Sequence, residues 1–105
     1  TLFYSRDSMH IAHLQTTSFA EHKALNAYYD SILDLTDTFT EAYFGQNKRV
    51  EIIIPEAKVL DSTTHLKELL SILNTERGNY SSELQNIVDE MLSLVDKTLY
   101  LLTLN

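Results

Sequence analysis

From Phe19 to Phe44 the chain runs without a glycine or a proline, and apolar residues return every third or fourth position. Leu25, Tyr29, Ile32, Leu33, Thr36, Phe39, Thr40, Tyr43 and Phe44 keep the spacing of one helical face. The pattern predicts a helix over 19–45, about 27 residues and roughly 40 Å long, with Gly45 as its stop. The whole chain holds only 2 Gly and 1 Pro. That is too few turn residues for an all-β fold with many hairpins.

Three more segments carry a helical period. Residues 2–15 offer Leu2, Phe3, Met9, Ile11 and Leu14, and Ser18 followed by Glu21 reads as a capping box for the long helix. Residues 62–77 place Leu66, Leu69, Leu70 and Leu73 inward, with Gly78 at the end. Residues 82–103 repeat Leu84, Ile87, Val88, Met91, Leu92, Val95, Leu99 and Leu102, and Ser82 with Gln85 reads as a second capping box. Between helices 2 and 3, "QNKRVEIIIPEAKVLD" is rich in β-branched residues around Pro55. It predicts an extended crossover with a short strand-like piece. At 105 residues and 44% apolar content, the expected fold is a single all-α domain over 1–105. That domain is a four-helix bundle with its crossover between helices 2 and 3.

The formal net charge is −7. An acidic surface repels phosphate backbones and anionic membranes, so neither nucleic acid nor membrane is an expected partner of this segment. The same field concentrates divalent cations. No cysteine is present, which excludes disulfides and thiolate ligands. No apolar run reaches the roughly 18–20 residues that cross a bilayer, and no signal-peptide pattern appears. A cytoplasmic setting is the expectation. Because the chain starts at Thr1 rather than Met, an N-terminal piece is expected to have been trimmed.

Three of the four histidines, His10, His13 and His22, fall within thirteen positions, and His65 stands apart. At about 100° per residue, His22, Asn26, Asp37, Asp30 and Glu41 share one stripe of the long helix, interleaved with Leu33 and Phe44. That placement predicts a half-shielded stripe bordering the apolar face. Imidazoles with carboxylates and no thiolate suit iron, manganese or zinc better than copper(I) or an iron–sulfur cluster. The paired Glu-x-x-His motif of symmetrical di-iron bundles is absent: Asp7, His10, Phe19 and Ser62 precede the histidines by three. The plainer reading of each histidine is packing or surface polarity, and an acidic amphipathic helix places several carboxylates on one flank in any case.

At these residues the chain resembles a known family. "AEHKALNAYYDSILDLTDTFTEAYFG" is similar to the second helix of the Dps-like mini-ferritins, with His22, Asp37 and Glu41 matching the family's His and Asp-x-x-x-Glu without a gap. "HLKEL" at 65–69 and "LVDKTLYLL" at 94–102 resemble the third and closing helices. The stretch from His13 to Leu25 is also similar to one in small uncharacterised phage proteins. The resemblance implies a ferritin-like bundle, with a ferroxidase centre at a two-fold subunit interface. A first-helix histidine of one copy would face the carboxylates of the other. His13 in "HLQ" matches the family's His-Trp-Asn, with His10 as the fallback. The implied metal set is therefore His13, His22, Asp37 and Glu41, holding iron as a mono- or di-iron centre that peroxide or oxygen oxidises. Asn26 stands where the family has Asp, Leu14 stands where it has Trp, the first connection is about three residues shorter, and no Lys-rich tail is present. Asp30 or Asp34 is the carboxylate placed to substitute for the one lost at Asn26.

Two other classes fit the residues. One is a helical structural or interaction module that kept the bundle and lost the metal site. Among its six tyrosines, Tyr28, Tyr29, Tyr43 and Tyr100 are candidates for an interface that is half apolar and half wet; for Tyr29 and Tyr43 a core position is the favoured alternative. The other is an all-helical nucleotide pyrophosphohydrolase using Glu83, Asp89, Glu90 and Asp96 around magnesium, although their spacing does not form the paired acidic motifs. A first helix of about 14 residues cannot cover a second of about 27. A homo-oligomer, a dimer or larger, is therefore expected to bury the remainder.

Overall fold

The computed structural model describes residues 1–48, 52 and 60–104. Four α-helices account for nearly all of them: α1 (Leu2–Gln15), α2 (Phe19–Gln46), α3 (Ser62–Glu76) and α4 (Ser82–Leu102). A 3₁₀ turn, Arg77–Asn79, joins α3 to α4. The described residues contain no strand. The crossover expected over 46–61, with its strand-like piece, lies largely outside them.

α2, α3 and α4 each begin on a side-chain cap. Ser18 accepts from the Glu21 amide at the head of α2, and Asp61 accepts from the Thr64 amide and hydroxyl at the head of α3. Those two bonds hold the Asp61 carboxyl below its ordinary value. The cap of α4 is Ser81, accepting from the Leu84 amide, rather than Ser82. Gln85 instead donates to the Tyr80 carbonyl. Gly45 does not stop α2: the helix passes through it to Gln46, and no glycine has a positive φ among the described residues.

Side-chain bonds and shared cavities fix the helix directions. Ser5 meets Tyr28 and His13 meets His22, so α1 and α2 run antiparallel. Gln46 reaches Ser81 and Glu83 at one end of α2, while Ala20 and Ala24 share a cavity with Leu101 and Leu104 at the other. α4 is therefore antiparallel to α2. Arg77 grips Asp89 across the turn, turning α4 back along α3. His65 meets Ser5, and Leu69 and Leu73 lie near Leu2 and Phe3, setting α3 antiparallel to α1. The neighbours are α1–α2, α2–α4, α4–α3 and α3–α1. Every helix is antiparallel to both neighbours, and α2 and α3 point the same way from opposite corners.

Met9, Leu25, Tyr28, Ile32, Leu66, Leu69, Val88, Met91 and Val95 are buried at the centre. Each large apolar side chain there contributes about 1.5–3 kcal/mol relative to an exposed one. Two details differ from the periodic reading. Tyr28, not Tyr29, is the fully buried tyrosine of α2, and Leu14 is 68% exposed.

The core also holds a polar chain. Tyr28 Oη lies 2.7 Å from Ser5 Oγ, and Ser5 Oγ lies 2.8 Å from His65 Nε2, joining α2, α1 and α3. Burial pushes the Tyr28 phenol well above its ordinary value, so it stays protonated and can donate. Ser5 then donates to a neutral His65 ring. A proton added at Nε2 would reverse the chain and strand the Tyr28 hydrogen in the core. Burial accordingly lowers the His65 pKa.

Ser5→Ala removes the middle link and leaves two buried groups unpaired. It is expected to destabilise the fold by about 2–4 kcal/mol, against about 1 kcal/mol for Tyr28→Phe, read by urea unfolding. The folded His65 pKa lies below the unfolded one, so its contribution is complete above about pH 6.5 and shrinks as pH falls toward the folded value. Stability measured from pH 8 to 5 should decline through that window, and His65→Gln should flatten the decline.

Candidate functional site

Residues 16–18 make the tight connection between α1 and α2. The Ser18 amide donates to Thr16 Oγ1 while Ser18 caps α2, so the last turn of α1 lies beside the first turn of α2. Two imidazoles meet there. The His13 and His22 rings stack with centroids 3.8 Å apart and planes 23° from parallel. His13 Nδ1 is 2.7 Å from the His22 carbonyl, and His22 Nδ1 is 2.9 Å from the His13 carbonyl.

A carbonyl only accepts, so both Nδ1 atoms carry the hydrogen. Both Nε2 atoms therefore hold a lone pair in the neutral rings, and neither has a hydrogen bond among the described residues. A backbone carbonyl on the far nitrogen is a common way to fix a metal-ligating imidazole in tautomer and orientation. The arrangement also has a local function. The His13 carbonyl belongs to the last turn of α1, where carbonyls lack helical partners, and the His22 ring satisfies it. His13 is buried and His22 exposed.

The histidine pair continues into a row of rings. His10 stacks on Tyr29 at 4.2 Å, His13 meets Tyr29 edge-on at 5.4 Å, and the Arg6 guanidinium lies 5.6 Å from the Tyr29 centroid. Arg6, His10 and His13 come from one face of α1, and Tyr29 from α2.

The carboxylates lie elsewhere. Asp37 and Glu41 follow His22 by about 22 and 28 Å along the axis of α2. No group of three or more metal-binding side chains forms among the described residues. Asn26, Asp30, Asp34, Asp37 and Glu41 are all exposed. The half-shielded stripe expected on α2 is thus corrected: it faces outward. Helix rotation explains this, because the buried set Ala24, Leu25, Tyr28, Ile32 and Thr36 centres roughly 150° from the stripe.

The magnesium candidates on α4 are no better placed. Glu83, Asp89, Glu90 and Asp96 are exposed, Arg77 holds Asp89 through two bonds of 2.6 and 3.0 Å, and Glu83 accepts from Gln46. The Arg77 bond keeps the Asp89 carboxyl below its ordinary value. Of the interface tyrosines, Tyr28 is core, Tyr29 and Tyr43 are half-buried, and Tyr100 is 63% exposed. Reading the sequence missed the Tyr28–Ser5–His65 chain. Its one signal is the placement of Ser5 and Ser8 on the same helical face as Met9 and Ala12.

The described residues form an all-helical architecture of four antiparallel-packed helices. The chain belongs to a family of unknown function, DUF5856, whose profile matches residues 13–102. It is similar to an uncharacterised 14.6 kDa protein from the mobD–ri intergenic region of Enterobacteria phage T4. The two are 31% identical over 99 residues, covering 90% of this chain and 77% of the phage protein. No solved structure matches the chain. No described helix is long and apolar enough to cross a membrane.

The reciprocal bonds make two predictions. Long-range ¹⁵N–¹H NMR of the neutral rings should show Nδ1 protonated and Nε2 bare in both His13 and His22. His22→Ala should destabilise the fold by about 1 kcal/mol, the usual contribution of one such bond.

Proposed function

We propose that the protein is a ferritin-like bundle that pairs with a second copy along α2 and binds a divalent metal, iron(II) foremost. His13 and His22 of one copy would supply nitrogen, and Asp37 and Glu41 of the other would supply oxygen. The carrying observation is the stacked imidazole pair, with both Nδ1 atoms tied to backbone and both Nε2 atoms bare.

Helix geometry supports a partner's involvement. A two-fold axis crossing α2 near Asp30 and Ser31 would set His22 of one copy beside Phe39 of the other, midway between Asp37 and Glu41. Exposed carboxylates crowd this face, and a bound cation would offset their mutual repulsion. The helix directions also favour the reading: α2 and α3 point the same way, as in bundles with one long crossover. Two neutral nitrogens and two carboxylates form a hard-to-borderline ligand set suited to iron(II), manganese or zinc, leaving positions for water or oxidant.

A second reading is a helical interaction module without chemistry. The full exposure of the acidic stripe and the presence of Asn26 within it favour this alternative.

Metal analysis and solution mass on one anaerobic iron(II)-loaded sample separate the two. The metal reading expects bound iron in a dimer or larger assembly. Glu41→Ala and His22→Ala are each expected to weaken binding at least about tenfold, as loss of even a ligand's hydrogen-bond partner does. An assembly that binds no iron, or whose stoichiometry is unchanged by both substitutions, overturns it in favour of the second reading.

A further inference from the structure

The end of the bundle opposite the histidine pair contains a cleft independent of the metal reading. α1 is 14 residues long and α2 is 28, so the second half of α2 extends past α1. A cavity of about 390 Å³ opens there, lined by Leu2, Thr36, Phe39, Leu69, Leu73 and Met91 among others. A second, more polar cavity of about 390 Å³ adjoins it, lined by Tyr43, Gln46, Asn79 and Ser81. Glu76 and Tyr80 line both. Each volume lies in the range of small-molecule sites.

Two features specify an occupant. Thr36 is 1% exposed, yet its hydroxyl has no hydrogen-bond partner among the described residues. Thr38 and Thr98 donate to the carbonyl four residues back, as helical threonines commonly do. Thr36 lines the apolar cavity with its hydroxyl unpaired just beneath the surface, and such groups normally find a partner. The second feature is charge. Among the described residues Glu76 is the sole charged side chain lining either cavity, and its neighbour Arg77 is taken by Asp89. Glu76, Tyr43 and Tyr80 line the second cavity together, so the acidic group and two electron-rich rings meet at the junction, where burial, with Glu76 and Tyr43, raises the Tyr80 phenol.

We propose that this cleft binds a small organic ammonium compound with an apolar, ring-sized body. The cation sits against Glu76 and the faces of Tyr43 and Tyr80. The body fills the cavity, and a polar atom at its far end pairs with Thr36.

The test is an NMR titration of the ¹⁵N-labelled chain with three probes that share one ring and differ in their head. Tyramine carries an ammonium, tyrosol a hydroxyl and 4-hydroxyphenylacetate a carboxylate. Tyramine is expected to give saturable shifts at the Thr36, Phe39 and Leu73 amides, tyrosol to bind roughly tenfold more weakly, and the carboxylate not to bind. Glu76→Gln, an exposed substitution, should weaken tyramine roughly tenfold and leave tyrosol unchanged. Thr36→Val should erase the advantage of tyramine over phenethylamine, which lacks the ring hydroxyl. No saturable shift with tyramine, equal binding of the three heads, or indifference to Glu76→Gln overturns the proposal.

Discussion

The hydrogen-bonded chain from Tyr28 through Ser5 to His65 sets the register of three helices at once. Apolar contact is non-directional, whereas a hydroxyl pinned between a phenol and an imidazole is satisfied at one alignment and costly to leave unpaired at any other. With Ser5 fixed beside Tyr28, eight further residues of α1 bring His13 level with the first turn of α2. The imidazole stack is then the far end of the same alignment. Measured the other way, α1 gives out near Thr36, and among the described residues the upper half of α2 packs on α4 and on Tyr80 beyond the turn. One buried link thereby positions both the histidine pair and the cleft.

Much of the helical plan was legible from residue spacing. α1, α3 and α4 fall within a residue or so of their expected bounds, and Ser18 caps α2 as its sequence suggests. Such features are local: a period of 3.6 residues and a serine before a glutamate say what a short segment will do. What local pattern leaves open is rotation about the helix axis. Tyr28 and Tyr29 are adjacent and equally aromatic, but they differ by about 100°, and the choice between them decides whether the acidic stripe is shielded or bare. Packing on α1 and α4 makes that choice. The polar core chain was illegible for a related reason: serine, tyrosine and histidine carry no mark of burial until partners from three helices meet.

The candidate metal residues illustrate the same division. His13 and His22 are nine positions apart across a tight connection, so nearness follows from the connection itself. Asp37 and Glu41 are on the same helix as His22 and for that reason cannot reach it, since a rigid helix separates residues along its axis as surely as it orders them. The proposal that they act together requires a second molecule, and it would give the exposed acidic stripe of α2 a purpose. The opposite end of the helix has a different character, apolar within and phenolic at the rim. On the two proposals, α2 would meet a metal-bridged copy along its exposed face and a small cation near its C-terminal end.

Gly45 sits inside the last turn of α2 with ordinary helical backbone and open space where a side chain would be. A glycine there gives up about 1 kcal/mol of helix propensity relative to alanine. Nothing among the described residues around it demands the smaller residue. The final turn consequently unwinds more readily than it would with alanine there, and Gln46, which bridges to Ser81 and Glu83, acts as its latch. Fraying at that point would shift the Tyr43 and Gln46 side of the polar cavity relative to Tyr80 while the rest of the helix stays wound, a hinge obtained by omitting a single methyl group.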